Sequence, residues 1–215
     1  MLTIVVVVVA GRPAAAAPAC SGLEPIAPAV EVERDPSGKP KILSVSAAEL
    51  QRQAGELGRD APGGRETRGL TANRLEGQAG YTLARIARPG SATCVALKAV
   101  TGQLANRDVT ILLDRRYPAG SCERQAILDH ELEHVRINDR ALVRGERLLR
   151  DRLAKAAAGW RGRWLPEDRA KEIDDAIGKV VSGVVGRVRA DARREHAQLD
   201  TPESYAQTQR RCRHW

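Results

Sequence analysis

The sequence predicts an α+β fold, with a small antiparallel sheet packed on a long antiparallel helical hairpin. Three observations predict it. Short alternating or apolar segments, of strand length, recur between residues 30 and 113. Beyond residue 121, apolar residues recur instead at helical spacing, over two stretches far longer than a strand. A glycine- and tryptophan-bearing break at 159–165 separates those two stretches and leaves room for little more than a turn.

Taken in order, Val30-Glu31-Val32-Glu33 alternates like a half-buried strand, and Ile42-Leu43-Ser44-Val45 is a second strand. Ser46 caps a short helix over 47–53, and Glu49 three residues on completes a capping box. Residues 55–69 hold five glycines, several arginines and Pro62, and read as a mobile loop. Strands follow at 81–86, 93–100 and 108–113. Thr101-Gly102 and Asn106-Arg107 stand between the last two, which therefore read as an antiparallel pair. Pro118-Ala119-Gly120 breaks the chain, and Ser121 caps a helix with Glu123 in its first turn. That helix runs to about Ala158, with Ile127, His134, Ala141 and Leu148 recurring every seven residues. Pro166 opens a second helix that continues to about Leu199, weakened by Gly178, Gly183 and Gly186. Thr201 and Pro202 start a short final helix.

Composition narrows the class. The 215 residues suit one domain, here 20–215, with its helical part at 121–212. Hydrophobic residues make up 42% and aromatics only 3%, with no Phe, so the core must be aliphatic. The net charge is +8, but arginines alternate with acids along the helices, as in Arg144-Gly145-Glu146-Arg147. That pattern marks a solvated face and argues against a nucleic-acid partner. Residues 1–19 read as an export signal: an apolar run too short to span a bilayer, then small residues ending Ala17-Pro18-Ala19. The charged leader end is missing, and a buried strand over 3–9 is the competing reading. Ala17 stands where a lipoprotein signal usually has Leu, which disfavours lipidation of Cys20. A periplasmic or secreted chain with four cysteines predicts two disulfides. The expected pairs are Cys94–Cys122, joining a strand to the start of the long helix, and Cys20–Cys212, tying the ends. No transmembrane span is expected.

The long helix carries His130-Glu131-Leu132-Glu133-His134, the HExxH pattern. Residues four apart share a helix face, so both imidazoles can meet one zinc ion. Glu131 is then placed to take a proton from an activated water. A catalytic zinc needs a third protein ligand. If the two long helices pack about a turn centred near residue 162, residue 196 lies opposite residue 128. His196 then falls within roughly one turn of His130, at about 1.5 Å per residue. Asp200 and Glu203 are the next choices. Glu146 lies about 18 Å along the same helix from His134, and His214 stands near the chain end beside Cys212. Ile137 and Arg140 exclude the longer HExxHxxGxxH pattern.

The runs Tyr117-Pro118-Ala119-Gly120-Ser121-Cys122-Glu123, Ile127-Leu128-Asp129-His130-Glu131 to His134-Val135, and His196-Ala197-Gln198-Leu199-Asp200-Thr201 resemble a group of exported proteobacterial proteins. Those in turn resemble predicted secreted zinc-dependent proteases. The resemblance covers roughly residues 80–212 and implies a zincin-like domain. It departs at Thr201, which leads into Pro202-Glu203-Ser204 rather than Thr-His-Gly, so a later ligand is lost. The expected function is zinc-dependent peptide hydrolysis, with zinc on His130, His134 and His196 and Glu131 as base. The strand at 108–113 would hold an extended peptide by edge pairing, and Tyr205 is the candidate to steady the developing oxyanion. The alternative is a non-catalytic envelope protein, a helical adaptor whose histidine pair binds metal without turnover or is incidental.

Overall fold

The computed structural model describes residues 20–57, 66–87 and 92–215. The export signal expected over 1–19, and the middle of the loop expected over 55–69, lie outside the described residues.

The element order is β1 (Ala29–Asp35), β2 (Lys41–Val45), α1 (Ala47–Glu56), β3 (Gly69–Ile86), β4 (Cys94–Asp114), α2 (Cys122–Ala158), β5 (Leu165–Pro166), a 3-10 turn (Glu167–Arg169), α3 (Lys171–Leu199) and α4 (Pro202–Arg210). The α+β class holds. The wholly antiparallel sheet does not. β3 pairs antiparallel with β4 along one edge, while β1 and β2, parallel to it, and the short antiparallel β5 lie along its other edge. The sheet is therefore mixed, and β4 is its central strand.

β4 also corrects the expectation of two strands joined by a turn. It runs unbroken from Cys94 to Asp114. Gly102 is no turn residue. A Cβ there would sit 2.7 Å from Leu153 Cδ1, so the glycine lets α2 lie close on the sheet. The Asn106-Arg107 signal marks a β-bulge. Asp108 has φ 55°, and the register with β3 shifts between Ala72 and Arg74. Asn106 is buried, accepting from Asn73 Nδ2 and donating to Ser37 Oγ. β1 and β2 break opposite this bulge, where Pro36 and Pro40 cannot donate to a ladder.

Both faces of the sheet are covered near the bulge. Ile111 and Leu113 point toward Ile127 and Val135 of α2. Leu112, pointing the other way, packs with Leu70 under Leu50 and Ala54 of α1. The main aliphatic core lies between the sheet and the α2–α3 pair, with Leu104, Leu142, Leu149, Leu153 and Ile173 almost fully buried. The helix starts follow local chemistry. Ser46 accepts from Glu49 N, Ser121 from Arg124 N and Thr201 from Ser204 N. Pro166 does not open a helix as expected. It pairs with Cys94 in β5, and α3 begins five residues later.

All four cysteines are bonded, but the partners differ from the expected ones: Cys20–Cys94 and Cys122–Cys212. A Cys94–Cys122 bond needs a hairpin that brings 94 near 114. The single 21-residue strand instead holds its ends roughly 65 Å apart, at about 3.3 Å per residue. Cys94 at one end is left to Cys20, and Cys122 at the other to Cys212. Among the described residues no helix is long and apolar enough to cross a membrane.

Candidate metal centre

Three elements build the site. α2 supplies His130, Glu131, His134 and Asn138, which lie on its sheet-facing side. The first residues of β3 lie under them, and the end of α3 supplies His196 and Asp200. His130 Nε2 lies 3.2 Å from Asp200 Oδ1, and His134 Nε2 lies 3.1 Å from the same oxygen. The three residues could hold one metal ion, with ligand atoms all within 4.8 Å of one another. With zinc–ligand bonds of about 2.0–2.1 Å, tetrahedral ligands stand about 3.3 Å apart. The two short separations match that edge.

His196 reaches the site but does not face that point. Its Nδ1 lies 2.9 Å from His134 Nδ1, the nitrogen on the far side of the ring, and its Nε2 lies 3.1 Å from Asn138 Oδ1. Asp200 stands where His196 was expected. Glu203 is exposed, Glu146 is engaged by Arg34 and Arg150, and His214 is exposed at the chain end.

The hydrogen bonds suit a cation. If the Nδ1–H of His134 donates to His196 and the Nε2–H of His196 donates to Asn138, the His134 Nε2 lone pair points at the Asp200 carboxylate. Two acceptors 3.1 Å apart repel unless a proton or a metal ion lies between them. Metal ligation requires this same deprotonated Nε2. His196 and Asn138 thus hold the His134 ring from behind, as partners behind metal-binding histidines usually do.

Glu131 is buried at 5% exposure. Its Oε2 lies 2.8 Å from Thr71 Oγ1 on β3, which can donate to it. Burial raises its carboxyl above the ordinary value, against the pull of the His134 and His130 charges and of the Thr71 hydrogen bond. A carboxyl raised this way is better able to take up a proton. Burial also works on Asp200, but hydrogen bonds from His130, His134 and the Tyr205 hydroxyl outweigh it and leave that carboxyl well below its ordinary value. Asp200 therefore stays anionic, the state that metal ligation would require. The Tyr205 hydroxyl donates to Asp200 Oδ1 at 2.9 Å, and its ring lies 5.2 Å from that of His130.

These residues open on a cleft of about 880 Å³ between β3, α3 and the C-terminal segment. The strand expected to hold a peptide, 108–113, is central and paired on both sides, by β2 and by β3. The strand beside the site that carries an unpaired edge is β3, which pairs only with β4 among the described residues.

Sequence reasoning missed Asn138, Thr71 and Gly69. Asn138 carried a signal, because it stands one helical turn beyond His134 on the same face. Thr71 and Gly69 carried none. They fall in a stretch whose strand character emerges only from pairing with β4. No protein-family model matches the chain, and neither the curated proteins nor the solved structures hold a significant match to it.

Proposed function

We propose that this protein is an exported zinc-dependent peptide hydrolase whose metal is held by His130, His134 and Asp200. The observation that carries the reading is the convergence of both HExxH histidines on one carboxylate oxygen, at 3.1 and 3.2 Å, beside a buried glutamate at the wall of a large cleft. Two disulfides suit an oxidising compartment. The HExxH helix lying against a sheet suits a zincin-like site, as does the resemblance of 117–135 and 196–201 to predicted secreted proteases.

A bound zinc ion supplies a Lewis acid for the scissile carbonyl and acidifies a water. The chain's residues do the rest. Glu131 accepts the proton of the attacking water, held ready by Thr71, and returns it to the leaving amine. His196 and Asn138 fix the ring of His134. Tyr205 steadies Asp200, which occupies the hydroxyl expected to meet an oxyanion. The substrate lies along β3 in the cleft, and not on the enclosed 108–113 segment.

The test pairs metal analysis of the purified protein with digestion of a peptide library. One equivalent of zinc is expected, together with cleavage. Glu131→Gln keeps the zinc and loses about 10²- to 10⁴-fold in rate. A protein that takes up no zinc refutes the metal site. Full activity in Glu131→Gln refutes the role of the base. Zinc without turnover of any peptide favours the metal-binding adaptor.

A further inference from the structure

We infer that the cleft selects peptides carrying a carboxylate a few residues from the bond under attack, through Arg189, Arg193 and Arg68. The inference rests on the peptide-hydrolase reading and names its substrate class.

The charges on α3 are divided by face. Arg187 and Arg194 both pair with Asp191, Arg169 with Glu172, and Glu195 with Arg144. Arg189 and Arg193 differ. They stand four residues apart, so they share a face, and both line the cleft. Among the described residues neither has an acidic partner. Arg189 donates to the backbone carbonyl of Leu75 at 2.6 Å, on β3, and keeps its charge uncompensated. Both are exposed to the solvent that a substrate would displace.

A third cation comes from the chain just before β3. Arg68 lines the same cleft, with its guanidinium 5.1 Å from the centre of the Trp215 ring. Its Nη1 is buried and, among the described residues, has no hydrogen-bond partner, while its charge also acts on the buried Asp114 carboxylate. A buried guanidinium nitrogen with nothing to donate to is costly, and a carboxylate oxygen is the partner that suits it best. Among the described residues the acids of the cleft are otherwise committed: Glu66 to Arg116 at 2.6 Å, Asp200 to the histidines, and Glu131 to Thr71. Three arginines from two walls thus face the cleft, with no free acid between them among the described residues.

Helix geometry sets the distance. Arg193 precedes Asp200 by seven residues and Arg189 precedes it by eleven, or about 10.5 and 16.5 Å along the axis at about 1.5 Å per residue. An extended peptide advances about 3.3 Å per residue. The carboxylate therefore falls about three to five residues from the scissile bond. It comes either from an Asp or Glu side chain or from a free C-terminus, and the experiment separates the two.

The measurement is fluorescence anisotropy on the zinc-loaded full chain carrying Glu131→Gln, which binds without turnover. The probes are labelled hexapeptides of one sequence, with Glu or Gln at the third position and a free or amidated C-terminus. Carboxylate-bearing probes are expected to bind about 3- to 30-fold tighter than the neutral one, a range set by one to three partly exposed charge pairs. The preference falls as salt rises. Arg193→Gln, which breaks no hydrogen bond or ion pair among the described residues, reduces the ratio, and Arg189→Gln with Arg193→Gln brings it toward one. A preference carried by Glu with the end amidated assigns the side chain, and one carried only by the free end assigns the C-terminus. Equal binding of all probes, no binding of any, or a preference that survives both substitutions overturns the inference. The two readings fail separately. Wild-type cleavage without acidic preference sinks this inference alone, whereas carboxylate-dependent binding without cleavage by the wild type sinks the hydrolase.

Discussion

Replacing Gly69 with alanine tests the site through its packing, with no substrate needed. Gly69 begins β3 directly beneath α2. A Cβ built there lies 2.6 Å from Glu131 Oε1, 2.6 Å from Ile127 Cγ2 and 2.9 Å from Glu131 Cγ. Ordinary contacts lie at about 3.5–4.0 Å, so the helix or the strand must yield by about 1 Å. Neither neighbour gives easily. Ile127 is β-branched and buried at 5% exposure, and Glu131 is held through Thr71. Overpacking of this kind costs about 1–3 kcal/mol. For a chain of this size that lowers Tm by about 2–12 °C. Glu131 moves with the strain, and a misplacement of about 1 Å can cost 10²-fold in rate. The assay is a thermal melt of Gly69→Ala beside Gly183→Ala. At Gly183, in the interior of α3, nothing lies within 4 Å of the added methyl. There the same change gains about 0.5–1 kcal/mol from helix propensity. One substitution should thus move Tm in opposite directions at the two positions. A Gly69→Ala variant as stable as the wild type would falsify the close seating of Glu131 on β3.

Three further outcomes follow from the same geometry. Asp200→Asn should abolish tight zinc binding measured by competition with a chelator, while His196→Ala weakens it about 10- to 100-fold as a supporting residue; the reverse order makes His196 the ligand. Non-reducing peptide mapping should recover Cys20–Cys94 and Cys122–Cys212, and losing the second bond, which closes a loop across 90 positions, should cost at most about 4–5 kcal/mol in a urea melt; recovery of a Cys94–Cys122 peptide contradicts the continuous β4. Acid should destabilise the fold through buried Asp114. Burial alone would raise its carboxyl, but hydrogen bonds from the Arg116 side chain and backbone, with the charges of Arg116 and Arg68, leave it below the ordinary value. The unfolded chain then takes up the proton first, so stability is full above about pH 4 and is lost as pH falls through the lower folded-state value. Asp114→Asn should flatten that part of the pH profile, and an unchanged profile counts against it.

What the sequence made legible was local. Caps at Ser46, Ser121 and Thr201 depend on a side chain and an amide three residues away, and all three appear as read. The HExxH face needed only the period of one helix. The strands were harder because their partners are distant. Residues 69–80 alternate weakly, and become a strand by lying along β4. Gly102 and Asn106 look like turn residues in sequence and serve instead as a close-approach point and a bulge. The disulfide pairing inherited that error, because it depended on where the strand ends fall.

The third ligand was misplaced by register, and the size of the error can be traced. His130 and Asp200 are equidistant from residue 165, as are His134 and His196. The pseudo-centre of the hairpin thus lies at 165, not at 162, because β5 and the 3-10 turn take up chain before α3 begins. Moving the centre by three moves every facing residue by six. The position opposite His130 passes from 194 to 200, and His196 slides from His130 to the back of His134. Asp200 also sits where a helix alone could not fix it, at the C-terminal cap of α3. Its position is set from beyond. The Thr201 cap turns the chain into α4, Arg211 bonds Asp129, and Cys212 is tied to Cys122 at the start of α2. The same helix that carries both histidines therefore anchors, one residue and eight residues before His130, the segment that delivers the carboxylate. Residues 200–212 and the HExxH helix form one mechanical unit, so metal affinity and the integrity of the Cys122–Cys212 bond should rise and fall together.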